Sequence, residues 1–503
     1  MNPPTIPFWL LVVLFSLIGY CIHVVITNFS KHRAKKLPPG PSLFQTIGVF
    51  RTSEPFHASL AKVSQTYGPL LSIKLGSRTI IVVSSPEIAK KFLHEHDLEF
   101  SVRMLPDAVT AFDHHKVSIF WSPPQGSWRI LRKVCKEHIF SSERLKAGQG
   151  LRQEMVQHLC NYVQECCING QAVNIGEAAF STSLSLMWNT FFSVGFGQSD
   201  SISSEEIKET VWSMMKTFGS PNLADIFPIL KAIDPQRLKG RAKFYMGKLL
   251  DIIDGIIRRR VQERDASLTY TRKNDFLETL LDLNQQNEAV LSYHSLKHFL
   301  LDLFIAGSET SSTTVEWAMA ELLRSPEIKS KARDEIVEIV GKSELVQESD
   351  ISNLPYLQSL VKETFRLHPA GPLLPRKAES DTEIHGYMVP QNAEVLVNLW
   401  AMGRDPSLWP NPNSFLPERF MDRNIDVKGN HFELLPFGTG RRICAGLPLA
   451  HRMVHIMVAS LLHKFDWKLE EEIKPEQLDM SEKSALTLHK AVPLRAIPVR
   501  TTV

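Results

Sequence analysis

No part of this sequence restricts the fold more than PFGTGRRICAG, residues 436–446, which places Cys444 among three glycines and two arginines. Helical periodicity follows it, from about Leu449 to Phe465. A cysteine at such a loop-to-helix junction faces backbone N–H groups and the positive end of a helix dipole, and both lower the pKa of a thiol. We therefore expect a thiolate at Cys444, around which distant parts of the chain must fold.

The chemistry of a lone thiolate limits what it can bind. One thiolate without a second protein ligand nearby cannot form a closed structural zinc site, whereas it can be the proximal ligand of haem iron. Gly438 and Gly440 permit a tight backbone close to a flat macrocycle, and Gly446 permits close packing of a helix against the ligand. The segment therefore favours a haem site with Cys444 as the iron ligand.

Other side chains suit the same task. Phe437 can shield the sulfur from water, and Arg442 can pair with a haem propionate through two hydrogen bonds. Trp128 and Arg132 lie four residues apart on one predicted helical face, where an indole N–H and a guanidinium can both reach a carboxylate. Arg376 in LLPRKA could be a further propionate partner.

Two other interpretations of the cysteine segment remain open at this point. One is a glycine-rich turn before a helix, with an ordinary buried cysteine. The other is a phosphate-binding loop, which fits less well because the glycine spacing is neither that of a Walker loop nor that of a dinucleotide fingerprint.

A long apolar helix is predicted from about Leu291 to Leu323, and its middle carries AGSETSST, residues 306–313. Glycine and hydroxyl residues inside a buried helix cost stability and permit local opening of its hydrogen bonds. Thr310 could then hydrogen-bond dioxygen or water, and Glu309 could belong to a proton-delivery path. The alternative is a packing notch made of small residues.

A buried ionic network is also predicted. Glu363 and Arg366 share one helical face, and Arg419 in LPERF could bracket the same carboxylate from a distant part of the chain. We interpret the three residues as structural support that holds the cysteine loop in place. Loss of one partner would leave a costly buried charge.

Apolar periodicity predicts a mainly α fold with a small β subdomain. The first two predicted strands are separated by turn residues and indicate a hairpin. The predicted strands are 70–76, 79–85, 383–385 and 395–399, and the further predicted helices are 244–264, 326–340 and 354–369.

Charge and cysteine content exclude some classes of function. With 57 basic and 54 acidic residues the chain has no strong global field for nucleic acid, and RRR at 258–260 suits a solvated helix end. We therefore expect no nucleic-acid partner. The six cysteines contain no CxxC pair, which indicates a reduced, cytosol-facing chain, and Cys166 and Cys167 are interpreted as small hydrophobic residues.

The amino-terminal part predicts a membrane anchor. Residues 6–27 contain no Asp, Glu, Lys or Arg, and the basic run 31–36 follows them; such a stretch makes about 33 Å of helix. Since positive charge beside a membrane helix stays cytosolic, we expect residues 1–30 to be a retained anchor with a lumenal amino end. Residues 31–41 are expected to be a basic, proline-rich hinge, and residues 42–503 one catalytic domain.

These motifs, in this order, resemble one enzyme family. PFGTGRRICAG, AGSET, Glu363 with Arg366, PERF and WRILR, behind a predicted anchor and LPPGP, resemble the microsomal cytochrome P-450 enzymes, which are haem-thiolate monooxygenases. The resemblance covers essentially the whole chain. It implies the P-450 fold, haem b ligated by Cys444, and an oxygen site flanked by four residues: Ala306, Gly307, Glu309 and Thr310.

The resemblance also implies a partner and a location. Electrons would come from NADPH through the flavins of a membrane-bound NADPH-cytochrome P-450 reductase, at the endoplasmic reticulum membrane with the catalytic domain in the cytosol. A basic cluster could dock such an acidic partner, although the same residues could equally be solvated surface charges. The cluster is Arg129, Lys133, Lys136 and Arg441.

Within the family, VEWAMAELLRSPE and the segment that begins LLPRKAESD are similar to plant enzymes of the geraniol-hydroxylase and ferruginol-synthase group. This similarity implies a small hydrophobic substrate, a monoterpenoid or diterpenoid, hydroxylated at an unactivated or benzylic carbon. Met104 departs from the commonest plant pattern, which has proline after Arg103. The implied substrate pocket is apolar and consists of Phe112, Ile119, Leu303, Ala306, Gly307, Ala370, Leu373 and Leu486.

Two other functions remain open on the sequence alone. A haem-thiolate isomerase or dehydratase would need neither a reductase nor a proton relay, so an intact AGSET argues against it. A noncatalytic, membrane-tethered haem binder would bind haem and a ligand without consuming oxygen.

Overall fold

The structure, a computed structural model, describes residues 36–42, 45–46, 48, 54–193, 203–266, 270–286, 291–342, 345–470, 473–484 and 486–500. The predicted anchor, residues 1–30, and residues 31–35 of the hinge lie outside this part. Within it, no helix combines the length and the apolar character that crossing a bilayer requires.

Helices dominate the described residues. In chain order they are α1 (Phe56–Tyr67), α2 (Pro86–Lys90), α3 (His114–Val117), α4 (Ser127–Val134), α5 (Ser142–Ala147), α6 (Gln149–Ile168), α7 (Ile175–Phe192), α8 (Ser204–Gly219), α9 (Leu223–Ile226), α10 (Leu238–Ala266), α11 (Phe276–Gln286), α12 (Tyr293–Arg324), α13 (Pro326–Val340), α14 (Pro355–Leu367), α15 (Leu399–Met402) and α16 (Leu447–Lys464). The five helices predicted from periodicity are confirmed as α10, α12, α13, α14 and α16.

Short strands form small sheets, which confirms the predicted fold class. The strands are β1 (Leu70–Leu75), β2 (Arg78–Val83), β3 (Val173–Asn174), β4 (Leu373–Lys377), β5 (Thr382–Ile384), β6 (Tyr387–Val389), β7 (Glu394–Asn398), β8 (Phe465–Leu469), β9 (Glu482–Ser484), β10 (Leu488–Lys490) and β11 (Arg495–Arg500). β1 and β2 form the predicted antiparallel hairpin. They continue into a sheet of order β1-β2-β7-β4, in which β7 runs parallel to β2. β11 lies between β3 and β8, whereas β5–β6 and β9–β10 are two-stranded.

Helix α12 is buried along most of its 32 residues. It begins where the Ser292 side chain accepts a hydrogen bond from the backbone N–H of Ser295, and it ends before Pro326, which opens α13. It packs against α7, α10, α14 and α16. Because most of the helix is buried, its buried polar side chains need hydrogen-bond partners.

Two glycines allow α7 and α12 to approach closely. A Cβ on Gly176 of α7 would lie 2.7 Å from the carboxyl carbon of Glu316 in α12. A Cβ on Gly307 of α12 would lie 2.7 Å from the terminal methyl of Met187 in α7. Since interiors are close-packed, neither position has room for a side chain.

The cysteines of the middle helices follow the prediction. Cys166 is buried, Cys167 is half-buried, and both are free thiols. Cys160 and Cys166 belong to a hydrophobic cluster that includes parts of α12 and α16. No disulfide is formed by either residue of the adjacent pair.

Gly176→Ala is expected to lower the free energy of unfolding by about 1–3 kcal/mol, the usual cost of overpacking. The Glu316 carboxylate cannot move away easily, because it accepts the backbone N–H of Leu494 at 2.9 Å. Gly150→Ala is the matched control: Gly150 is likewise the second residue of its helix, and a Cβ there meets nothing within 4 Å. Urea unfolding measures both variants, and equal stability would contradict the packing argument.

Candidate active site

Cys444 lies in a loop that folds back on itself. Its backbone N–H donates to the carbonyl of Phe437 at 2.9 Å, and Gly440–Arg442 forms one 3-10 turn. Gly438 and Gly440 have φ values of 69° and 65°, in the left-handed region that favours glycine. The tight backbone expected from the sequence therefore requires glycine at both positions.

The Cys444 sulfur borders an internal space. Its side chain has a large accessible surface although many protein atoms surround the sulfur. The Phe437 ring contacts Phe365 of α14 edge-on, with 5.3 Å between ring centroids. A Cβ on Gly446 would lie 3.8 Å from the sulfur, which is ordinary van der Waals contact.

Burial raises the pKa of the Cys444 thiol, so the prediction of a lowered pKa is wrong for the polypeptide by itself. The backbone N–H groups of Gly446 and Leu447 donate to the sulfur and lower its pKa, as do the charges of Arg132 and Arg103. The loss of solvation is larger, and sequence reasoning about the helix end did not include it. A coordinated metal ion would reverse the balance, because thiols that bind metals are deprotonated.

Two buried arginines near this loop lack a carboxylate partner among the described residues. Arg376 is 3% and Arg442 6% exposed. Arg442 donates to the backbone carbonyls of Ser101 and Ser122 at 2.8 and 2.6 Å, and Arg376 donates to the carbonyl of Pro375 at 2.9 Å. The other buried arginines of the described chain each form an ion pair with a carboxylate: Arg152, Arg260 and Arg366.

Burial and mutual repulsion weaken proton binding by these guanidinium groups. The pKa of Arg376 falls to about 9 through burial and the charge of Arg442, and that of Arg442 to about 10 through burial and Arg132. Arg103 belongs to the same group, since burial and then Arg376 and Arg442 hold its pKa well below the usual value. Its Nε atom is buried and has no hydrogen-bond partner. Sequence reasoning missed Arg103, whose one signal was its place in a loop expected near the substrate.

Trp128 and Arg132 lie on α4 beside the arginine group. The indole N–H of Trp128 donates to the carbonyl of Ile119 at 2.8 Å, and its contact with a ligand carboxylate stays a prediction. The guanidinium groups of Arg442 and Arg132 lie 4.8 and 5.6 Å from the centre of the Trp128 ring. Trp128 therefore packs against the cations.

The middle of α12 borders an internal space on one side only. Ala306 is exposed and Thr310 half-buried on an otherwise buried helix. The Thr310 hydroxyl donates to the Ala306 carbonyl at 3.0 Å, and the Thr314 hydroxyl donates to the Thr310 carbonyl at 2.9 Å. The missing side chain of Gly307 faces Met187, so the packing-notch alternative describes Gly307 but not Thr310.

Glu309 is 2% exposed and is paired with His489 of β10. Its Oε1 lies 2.9 Å from His489 Nε2, while Oε2 is buried without a hydrogen-bond partner in the described part of the chain. The hydroxyls of Thr487 and Thr313 lie 2.6 and 2.9 Å from the two ring nitrogens of His489. Sequence reasoning missed His489, which no motif marks and which lies 180 residues from Glu309.

The segment before α4 is fastened to α12. One oxygen of Asp302 accepts the backbone N–H of Ile119 at 2.8 Å, and the other lies 3.1 Å from His114 Nε2. The Nδ1 atoms of His114 and His298 are 2.9 Å apart. Ile119 is therefore held in a fixed position relative to Leu303, the next residue of α12 after Asp302.

Only some of the predicted pocket residues lie together in the structure. Leu303, Ile119 and Leu486 belong to or pack against one hydrophobic cluster, whereas Leu373 packs with the sheet residues of another. Phe112 is 41% exposed, with a left-handed backbone, and its ring lies 3.2 Å from where a Cβ on Gly247 of α10 would be. The carbonyl of Ala370 accepts the backbone N–H of Leu488 at 2.9 Å.

The ionic network exists, but it holds a different segment from the one predicted. Glu363 accepts two hydrogen bonds from Arg366, both 2.7 Å long, and one of 3.0 Å from Arg419. The two arginines also donate to backbone carbonyls between residues 403 and 414. The network therefore binds residues 403–419 to α14, while the cysteine loop contacts α14 through Phe437.

The four residues of the basic cluster are exposed, as a docking surface requires: Arg129, Lys133, Lys136 and Arg441. Arg441 forms an ion pair with Asp97 at 2.7 Å, and Lys133 lies 4.0 Å from Glu137. Exposed pairs of this kind contribute little to stability. Arg441 belongs to the cysteine loop itself, so the cluster reaches the outer side of the site.

A family model described as Cytochrome P450 matches residues 37–493. The chain belongs to the cytochrome P450 family. Cytochrome P450 76T24 of Catharanthus roseus is 50% identical over 98% of this chain and 99% of its own length. Ferruginol synthase of Isodon rubescens is 46% identical over 96% of this chain and 99% of its own length. A zebra fish cytochrome P450 structure with abiraterone superimposes with a TM-score of 0.73 at 26% identity, over 89% of this chain and all of that one.

These comparisons confirm the resemblance to plant terpenoid hydroxylases and the enzyme class. Membership of the P450 family implies a haem, and the residues present fit it. Cys444 would bind the iron through its sulfur, and Arg103, Arg376 and Arg442 would pair with the propionates, which would supply the missing carboxylates. When bound, a thiolate-ligated haem activates dioxygen and favours cleavage of its O–O bond.

Arg376→Met should separate haem binding from the stability of the polypeptide. The variant removes a buried charge repelled by Arg442, so the haem-free protein is expected to unfold at an equal or higher urea concentration. Loss of a propionate partner should speed haem loss by at least about tenfold, since truncating a buried charge pair costs about 2–5 kcal/mol.

The rate of haem transfer to apomyoglobin and urea unfolding of the haem-free P450 measure the two effects. Arg259→Met, which removes an exposed arginine of α10, is the control and should change neither. Unaltered haem retention in Arg376→Met would contradict the propionate assignment.

Acid should destabilise the P450 partly through His298. Burial, followed by the charge of His114, lowers the pKa of His298 to about 3 from an ordinary 6.5. The unfolded chain therefore binds a proton below about pH 6.5 that the folded protein does not, so stability present above this pH is lost as the pH falls towards 3. His298→Gln should reduce the loss of unfolding free energy over this range, measured with urea at several pH values. His158→Gln, at an exposed histidine, should leave the pH dependence unchanged.

Proposed function

We propose that this P450 hydroxylates a hydrophobic plant terpenoid, a monoterpenoid or a diterpenoid, as a monooxygenase. The balance is RH + O2 + NADPH + H⁺ → ROH + H2O + NADP⁺, with electrons delivered by a partner reductase. The observation that carries the substrate class is the 46% identity with Ferruginol synthase over nearly the whole chain. The apolar residues that join at the site, Leu303, Ile119 and Leu486, support it.

Each group of the site has a physical task in this reaction. The apolar wall orients a hydrophobic substrate by shape and excludes water. The Thr310 hydroxyl, which now donates to the Ala306 carbonyl, can turn to donate towards oxygen. The Glu309 carboxyl group can hold a proton at Oε2, which has no hydrogen-bond partner in the described chain.

The two alternative functions receive less support from the geometry. A haem-thiolate isomerase or dehydratase needs no external electrons and no proton relay, and a noncatalytic haem binder needs neither. The buried Glu309, held by His489 and adjacent to the half-buried Thr310, is costly for a protein that transfers no protons. The arrangement favours the monooxygenase.

We also propose where the enzyme acts and what it contacts. Residues 1–30 anchor it in the endoplasmic reticulum membrane, and the catalytic domain faces the cytosol. The basic cluster defined above docks an NADPH-cytochrome P-450 reductase, because it is exposed and positive beside the cysteine loop. Arg441, within that loop, brings the contact close to the haem ligand.

The substrate proposal predicts NADPH-dependent products. Microsomes that contain the P450 and a plant reductase should show a substrate-induced spin-state change with one or more terpenoids. Mass spectrometry should find products that are heavier by one oxygen atom and absent when NADPH is omitted. Turnover without NADPH would indicate the isomerase, and ligand binding without oxygen consumption would indicate the haem binder.

Thr310→Ala should uncouple electron use from product formation. Loss of the hydroxyl removes a proton donor, and such groups contribute about 10²–10⁴-fold to rate. Product per NADPH should therefore fall at least about tenfold, with hydrogen peroxide released instead. Thr310→Ser, which keeps the hydroxyl, is the matched control and should retain most of the coupling. Equal coupling in both variants would show that the hydroxyl has no role.

A further inference from the structure

A buried histidine on β10 holds the Glu309 carboxylate, and neither the sequence motifs nor the family resemblance assigns it a role. His489 Nε2 lies 2.9 Å from Glu309 Oε1, and its ring is 9% exposed. Trp212 of α8 covers it edge-on, with 5.1 Å between ring centroids. We propose that His489 is a positioning residue for Glu309, which fixes one carboxylate oxygen and leaves the other to exchange protons.

The need for such a residue follows from the reaction, so this inference rests on the monooxygenase function. Hydroxylation consumes two protons, since RH + O2 + 2e⁻ + 2H⁺ gives ROH + H2O. A buried carboxylate that supplies protons repeatedly needs an environment that tolerates both of its charge states, and a fixed direction keeps it within hydrogen-bond reach of the proton acceptor. Glu309 is buried on α12, and among the described residues its one ion-pair partner is His489.

The hydrogen bonds around His489 tolerate both charge states. With Glu309 ionised, His489 Nε2–H donates to Oε1. With a proton on Oε2 instead, the carbonyl oxygen Oε1 still accepts the hydrogen bond from Nε2–H. The hydroxyl of Thr313, 2.9 Å from Nδ1, can donate or accept, so it accommodates either tautomer of the ring. The hydroxyl of Thr487, the residue before β10, lies 2.6 Å from Nε2 and contacts the ring as well.

Strand β10 does not depend on the imidazole for its place. The indole N–H of Trp317 donates to the carbonyl of Leu488 at 2.9 Å. The N–H of Leu488 donates to the carbonyl of Ala370, also at 2.9 Å, and β10 pairs with β9. A substitution at His489 should therefore leave the strand attached to α12, and variants at this position should fold.

Two variants of the full-length enzyme separate positioning from a general structural role. His489→Leu removes both hydrogen-bonding atoms, and product per NADPH should fall about tenfold with peroxide release. His489→Gln keeps an N–H that can donate to Glu309, and should retain at least half of the wild-type coupling. Unchanged coupling in His489→Leu, or an equal loss in both variants, would overturn the proposal.

A double-mutant cycle and a control complete the test. Because His489 acts through Glu309, the pair Glu309→Gln with His489→Leu should lose no more coupling than Glu309→Gln alone, and additive losses would overturn the proposal. His463→Leu removes another buried imidazole, bonded to the Gly341 carbonyl at 2.7 Å. It should lower stability without altering coupling.

A measurement without turnover keeps this inference distinct from the proposed substrate. In resting protein labelled with ¹⁵N-histidine, Glu309→Ala should shift the Nε2 resonance of His489, assigned by its loss in His489→Gln. An unshifted resonance would overturn the contact. If the wild type oxidises no terpenoid, the proposed substrate class fails, while this spectrum still decides on His489.

Discussion

The rest of the site depends on one constraint, which is that positively charged side chains are buried there without an opposite charge. Arg376 and Arg442 are buried without carboxylates in the described chain, and burial lowers the pKa of both. Burial also raises the pKa of the Cys444 thiol close by. Elsewhere the protein pairs its buried arginines with carboxylates, as Arg260 with Asp275 at 2.8 Å. Loss of solvation lowers the pKa of the two arginines and raises the pKa of the thiol. A ligand with two carboxylates and a metal ion would supply an opposite charge to the arginines and to the sulfur.

The consequence is that part of the stability of the folded enzyme comes from its prosthetic group. Removing a guanidinium group from water costs several kcal/mol. The surrounding structure must offset this cost until the haem propionates are bound. The Glu363 network helps, because it fastens residues 403–419 to α14 independently of the ligand. Binding of haem to the native state alone then stabilises that state further.

Periodicity was sufficient to predict five of the described helices, because α10, α12, α13, α14 and α16 bury a face or a whole surface, whereas α6, α7 and α8 were not predicted individually. The cysteine motif also predicted a tight backbone at Gly438 and Gly440, where the structure has positive φ values. Contacts between distant segments were not predictable: His489 meets Glu309, and Arg103 meets Arg376, only after folding. Desolvation was missed for the same reason, since burial of Cys444 depends on everything packed around it.

Gly307 illustrates how one motif serves two purposes. Within AGSET, the sequence pattern suggested that its small residues open a groove beside the ligand. The structure uses the missing side chain of Gly307 to seat Met187 of α7, while Ala306 and Thr310 face the internal space. Spacing along a helix assigns residues to faces, but it cannot tell which face meets a neighbouring helix and which meets a ligand.

Four buried carboxylates along α12 explain how the site is assembled. Each binds a different segment: Asp302 holds Ile119, Glu309 meets His489, Glu316 accepts the N–H of Leu494, and Glu321 lies 2.8 Å from His368, the residue after α14. The first three lie seven residues apart, so they follow one another every second turn of the helix. The same helix carries Thr310. The groups that we propose to line the substrate and to exchange protons come from distant parts of the chain and are positioned against this one element. Their relative geometry therefore follows from the rise of α12.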